Sequence, residues 1–179
     1  MAVWKLLGFD PKSLVATGKQ PAAVRAETET VRKIVQSMDQ LEPARARYIA
    51  AFAYLLSRVA YADHKVSPEE TRVMEQIVMQ RGRLPEEQAI LIVQMAKSQS
   101  VLFSGTENFL VTREFDKITD REQKLALLDC LYAVCAADQS VSTVEDNEIR
   151  NISIELKLSH DDFIAVRMKY REYLAVLKK

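Results

Sequence analysis

One motif occurs twice in this chain at a fixed offset. Leu56-x-x-Val59-x-x-Ala62-Asp63-x-x-Val66-Ser67-x-x-Glu70 returns as Leu131-x-x-Val134-x-x-Ala137-Asp138-x-x-Val141-Ser142-x-x-Glu145, each residue 75 positions after its counterpart. An echo of this kind means one supersecondary unit used twice, so the fold must contain a pseudo-symmetric pair. In each copy an apolar run at helical spacing ends near an Asp, and Ser-x-x-Glu opens the next helical run. That tetrapeptide fits a capping box: the hydroxyl takes the backbone N–H three residues on, and the carboxyl reaches back to the N–H of the cap. Ser67/Glu70, Ser142/Glu145 and Thr119/Glu122 therefore mark three helix starts.

The surrounding chain is helical by the same criteria. The spacing predicts an amphipathic helix over Ala22–Leu41, in which Val24, Val31, Ile34, Val35, Met38 and Leu41 share one face. Pro43 suits the first turn of the following helix, where its missing N–H has no partner to lose, and that helix runs to about Ala62. The stretch around Phe52, Leu55, Leu56 and Val59 is apolar nearly all round, as a central helix should be; Lys124–Ala137 is its counterpart in the second copy. Amphipathic helices follow the two elbows over Pro68–Arg81 and Thr143–Leu156. Others are expected over Glu86–Lys97, Asn108–Asp116 and His160–Leu177, the last capped by Ser159, with Ser98–Asn108 as connector. The expected fold is an all-α bundle of seven or eight helices, made from repeats over about 48–97 and 120–177 in one domain of residues 22–179. Residues 1–21 read as an arm and linker, with Trp4 and Phe9 in a short apolar cluster before Gly18 and Pro21.

Composition narrows the function. A chain of 179 residues with 25 basic and 25 acidic side chains has no excess charge to attract nucleic acid or anionic lipid. Only 4 glycines and 5 prolines fit helices better than a turn-rich sheet. Cys130 and Cys135 lie five apart on one predicted helix, so at about 100° per residue they diverge by roughly 140° and cannot pair with each other. They read as small apolar core residues in a reducing compartment. With no secretory-type leader and no apolar run approaching the roughly 18 residues of a membrane span, a soluble cytoplasmic protein is expected.

The chemistry-bearing residues concentrate in the elbows. Asp63 and Glu70 straddle one loop, and Asp138 and Glu145 straddle the other, so each elbow offers two hard oxygen donors for a divalent cation, with Ser67 or Ser142 beside them. The structural alternative is that the glutamates serve the capping boxes and the aspartates bond to nearby backbone. Carboxylate separations near 5 Å would suit one shared ion of roughly 2.3–2.6 Å metal–oxygen bonds, and separations well beyond 10 Å would exclude it. Neither loop has the alternate acidic ligands and central glycine of an EF-hand. His64 could add a nitrogen ligand or a pH-sensitive group beside Asp63, but its counterpart is Gln139, so a solvent-facing loop residue is expected; His160 reads as a first-turn helix residue. There is no Gly-rich phosphate loop, Gly-x-Ser-x-Gly, His-Glu-x-x-His or Cys-x-x-Cys, which argues against an enzyme. A thiol-dependent reductase using Cys130 or Cys135 is disfavoured by their apolar surroundings.

Ala62-Asp63-x-x-Val66-Ser67-Pro68-Glu69-Glu70 and Leu131 to Asn147, together with Asn108-Phe109-x-x-Thr112 and Leu158-Ser159-His160-Asp161-Asp162-Phe163, resemble the TerB-like tellurite-resistance family in its two-repeat branch. The likeness covers roughly Tyr48 to Tyr173. It implies an all-helical fold of about seven helices, shared with the N-terminal region of a DnaJ-type co-chaperone. It also implies acidic residues grouped to bind metal and a link to tellurite and other stress. Carried over by position, the ligands would be Asp63, Glu70, Asp138 and Glu145. The family usually has Gly after each Asp, where this chain has His64 and Gln139. A residue there either shifts the elbow or tolerates a left-handed backbone at a cost of about 1 kcal/mol.

The leading expectation is therefore a non-catalytic helical module that binds a divalent metal ion of unidentified kind through its duplicated elbows and acts in a tellurite-type stress response. The alternative is an adaptor for a protein partner, docking through the Trp4/Phe9 arm, with purely structural elbows. Neither reading calls for an organic cofactor, nucleic acid or an integral membrane segment.

Overall fold

The computed structural model describes residues 41–103 and 108–178. The N-terminal arm and all but the last residue of the helix expected over 22–41 lie outside the described residues. Among the described residues there are seven α-helices: α1 Pro43–Ala60, α2 Pro68–Gly82, α3 Glu86–Phe103, α4 Asn108–Ile118, α5 Arg121–Cys135, α6 Thr143–Glu155 and α7 His160–Lys169. Short 3₁₀ turns follow over Ala136–Asp138 and Ala175–Leu177. The all-α architecture read from the sequence is the architecture observed.

α1 packs against α2, α3, α4, α5 and α6, which is why its sequence is apolar on every side. Leu55, Leu56, Val59 and Ala60 are shut off from solvent, as are Leu127, Leu128, Leu131 and Val134 of α5. At roughly 1.5–3 kcal/mol for each buried large aliphatic side chain, these two helices carry much of the hydrophobic driving force. α2 lies against both α5 and the 3₁₀ turn that follows it. This contact brings the start of one elbow's second helix to the corner of the other elbow.

Four expected boundaries are corrected. α3 continues to Phe103 instead of ending at Lys97, because the hydroxyls of Ser98 and Ser100 donate back to the carbonyls of Gln94 and Lys97 and so remain compatible with the helix. α5 is capped one residue later than expected, by Asp120 with Gln123 in place of Thr119 with Glu122; the Thr119 hydroxyl instead donates to Phe115 O at the end of α4. α1 ends at Ala60, so Asp63 stands in the turn beyond it. α7 stops at Lys169, well short of Leu177. There the Tyr170 ring stacks on Tyr132 at 5.4 Å between centroids, and the chain turns so that Leu174 bridges Val141.

Candidate metal centre at the meeting of the two elbows

The elbows are built alike from local rules. Ser67 Oγ accepts from Glu70 N at 3.1 Å while Glu70 Oε2 accepts from Ser67 N at 2.7 Å; Ser142 and Glu145 repeat the pair at 3.2 and 2.7 Å. Upstream, Asp63 Oδ1 accepts from Lys65 N at 2.9 Å, and Asp138 Oδ1 accepts from Ser140 N at 3.0 Å. The residues after the two aspartates, His64 at φ 64° and Gln139 at φ 67°, both occupy the left-handed region. The elbow geometry is thus kept without glycine, and the conformational cost is borne twice.

Tertiary packing brings the two capping glutamates together. Glu70, from the first turn of α2, and Glu145, from the first turn of α6, are each 4% exposed. With Cys135, the last residue of α5, they form a group whose ligand atoms (a carboxylate oxygen from each glutamate and the Cys135 Sγ) all lie within 4.8 Å of one another. Of the four carboxylates singled out in the sequence, Glu70 and Glu145 meet here. Asp63 and Asp138 stay on their own loops, bonded to backbone.

The electrostatics of this group are unusual. Burial pushes the Glu70 carboxyl up to about 7, against the lowering effect of its bonds to Ser67, and Glu145 adds to the rise through its charge and a hydrogen bond. Burial likewise raises Glu145, although its bonds to Ser142, Cys135 and Glu70 favour the ionised form. Two like charges this close do not both ionise freely, so the pair gives up its protons at higher pH than isolated carboxyls would. The Cys135 thiol is pushed well above its ordinary range by burial first, then by the neighbouring Glu145 and Glu70 charges. No ion pair among the described residues includes Glu70 or Glu145. The positive N-terminal ends of α2 and α6 give the carboxylates partial support.

Cys135 is the member the sequence reading assigned only to the core. Its counterpart in the first repeat is Ala60, fully buried, so burial at this position calls for a small side chain and does not by itself call for sulfur. The available signal was that this one helix end carries sulfur where its copy carries a methyl group. His64 is exposed and packs edge-on against Tyr61, and His160 sits exposed in the first turn of α7; neither joins the group. Cys130 is also buried, with its thiol raised mainly by burial.

A second polar cluster lies on α1. Arg58, 8% exposed, donates from Nε to Glu148 at 2.6 Å, from Nη1 to Glu155 and Thr112 at 2.8 Å each, and from Nη2 to Glu155 at 3.0 Å. It lines a cavity of about 180 Å³ together with Tyr61, His64, Asn108 and Glu148. No sequence signal singled it out, because its partners on α4 and α6 lie 54 to 97 positions away.

Among the described residues no helix is long and apolar enough to cross a membrane. A family model described as tellurite resistance protein TerB matches residues 48–168, about the span over which the residues resemble that family. No curated protein and no solved structure matches the chain.

Proposed function

The chain belongs to the tellurite resistance TerB family, and we propose that it is a non-catalytic module that takes up a divalent cation between its two elbows. The observation that carries this reading is the convergence of two buried carboxylates, Glu70 and Glu145, from opposite halves of the repeat, with no ion pair to either among the described residues. Each Oε2 is held by its own cap N–H, which fixes the carboxylate beside the other. Buried carboxylates need a proton, a cationic side chain or a metal ion to offset the loss of water. The donor set therefore fits a divalent ion: Glu70 and Glu145 would hold it, and it would supply a counter-charge that no ion pair among the described residues provides. Asp63 and Asp138 then act from the second rank, fixing the loops that aim the glutamates. The link to tellurite-type stress rests on the family alone.

Calorimetric titration of metal-free protein with calcium, magnesium, manganese and zinc tests the reading. Heat of binding is expected for the wild type and should vanish in the Glu70→Gln/Glu145→Gln double variant, whose amides still accept the cap N–H. Asp63→Ala/Asp138→Ala should weaken the binding by loosening the loops. A flat wild-type titration with all four ions would leave the elbows as structural corners and favour the adaptor reading.

A further inference from the structure

The geometry points to Cys135 as the third protein ligand of this centre, which makes it a site for a thiophilic divalent ion of the zinc class and not for calcium or magnesium. The inference rests on the reading of the elbows as a cation site and adds the identity of the ion. Its basis is the donor set. The thiol is 1% exposed, lies at the end of α5 and shares the 4.8 Å group with both carboxylate oxygens, so an ion seated between Glu70 and Glu145 has the sulfur beside it.

Calcium and magnesium take six or more oxygens, with magnesium holding several waters, and a buried corner offering two carboxylates and a sulfur cannot provide that shell. Zinc takes four ligands at about 2.0–2.2 Å from carboxylate oxygen and 2.3 Å from sulfur, which sets neighbouring donors roughly 3.3–3.8 Å apart. The three donors already lie within 4.8 Å of one another, so at most about 1.5 Å separates them from that spacing. Binding requires the thiol to lose its proton to solvent, and the bound ion supplies the charge that holds the thiolate. With two carboxylates and one thiolate from the protein, the fourth position falls to water.

The repeat provides an internal control. Ala60 occupies the equivalent of Cys135 and is fully buried, so alanine is a side chain this corner already accommodates in its other copy. Cys135→Ala should therefore fold, and Cys135→Ser preserves nearly the same shape if it does not.

The experiment is titration of the metal-free full chain with Zn²⁺, Co²⁺, Ca²⁺ and Mg²⁺, followed by calorimetry and, for Co²⁺, by absorbance. Zn²⁺ and Co²⁺ should bind at least 100-fold more tightly than Ca²⁺ or Mg²⁺, and Co²⁺ should develop a sulfur-to-cobalt charge-transfer band in the near ultraviolet. In Cys135→Ala the band should disappear and Zn²⁺ affinity should fall 10- to 100-fold. Zn²⁺ affinity equal in wild type and variant, absence of the band, or preference for Ca²⁺ or Mg²⁺ would overturn the role of the thiol while leaving a carboxylate site intact. Failure of every ion to bind the wild type would overturn both.

Discussion

Arg58 and Glu70 are both buried charged residues joined to the second repeat, and their surroundings differ in where the counter-charge comes from. Around Arg58 the fold supplies it: Glu148 and Glu155 of α6 close on the guanidinium, and Thr112 completes the shell. Around Glu70 the nearest acidic neighbour is another carboxylate, Glu145, and the third member is a thiol. The first arrangement is satisfied within the chain and ties α1 to α4 and α6. The second has no ion pair among the described residues, so the two clusters respond to pH in different windows.

The strongest way to break this contrast is to remove Arg58. Arg58→Ala leaves Glu148 and Glu155 without their guanidinium and should cost about 3–5 kcal/mol in urea denaturation. A loss below about 1 kcal/mol would mean that the cluster is not a strut at all.

The next largest effect is a difference in pH dependence between the two regions. Glu70 has a folded-state value of about 7, above the ordinary 4.5. The folded form therefore binds the proton more tightly, and its stabilising contribution is complete below about 4.5 and is lost as pH rises through about 7. Metal-free protein should lose on the order of 3 kcal/mol across that window at about 1.36 kcal/mol per unit, and Glu70→Gln should flatten the fall. Glu155 has the opposite sign. Burial would raise it, but the bonds from Arg58 and Thr112 and the guanidinium charge outweigh burial and hold its carboxyl below the ordinary range. Its contribution is present above 4.5 and is lost as pH falls through the lowered value, so this limb appears on the acid side. Denaturation midpoints collected from acid to neutral pH, with chelator present, separate the two.

Smaller effects sharpen the comparison of the elbows themselves. Ser67→Ala and Ser142→Ala should each cost about 1 kcal/mol, since each removes one cap acceptor from an equivalent box. A marked inequality would show that the elbows are not energetically equivalent. Smallest is relief of the left-handed residues: Gln139→Gly should gain about 0.5–1 kcal/mol in thermal unfolding. His64→Gly should gain less, because it also removes the edge contact with Tyr61, 5.2 Å between ring centroids.

The elbows were legible because they are local. Ser67 with Glu70, and Ser142 with Glu145, interact across three positions, and no distant part of the chain is needed to form them. Thr119 with Glu122 had the same pattern, yet Asp120 with Gln123 forms the box one residue later, a choice between adjacent caps that the pattern does not rank. α7 was expected too long because its end is set by Tyr132 and Val141, residues of other elements. Cys135 reads as a core residue and is one, at 1% exposure; what the sequence does not show is the pair of carboxylates beside it, because they come from residues 70 and 145.

By itself the chain order determined a duplicated helix–loop–helix, the apolar helices at its centre and the caps that open its later helices, because periodicity and capping act over a single turn or two. The packing of α2 against the end of α5 decided which of four acidic side chains meet, and that a sulfur stands with them. Such encounters depend on how whole helices settle to exclude water from α1 and α5, a property of the assembled core that no short stretch of sequence contains.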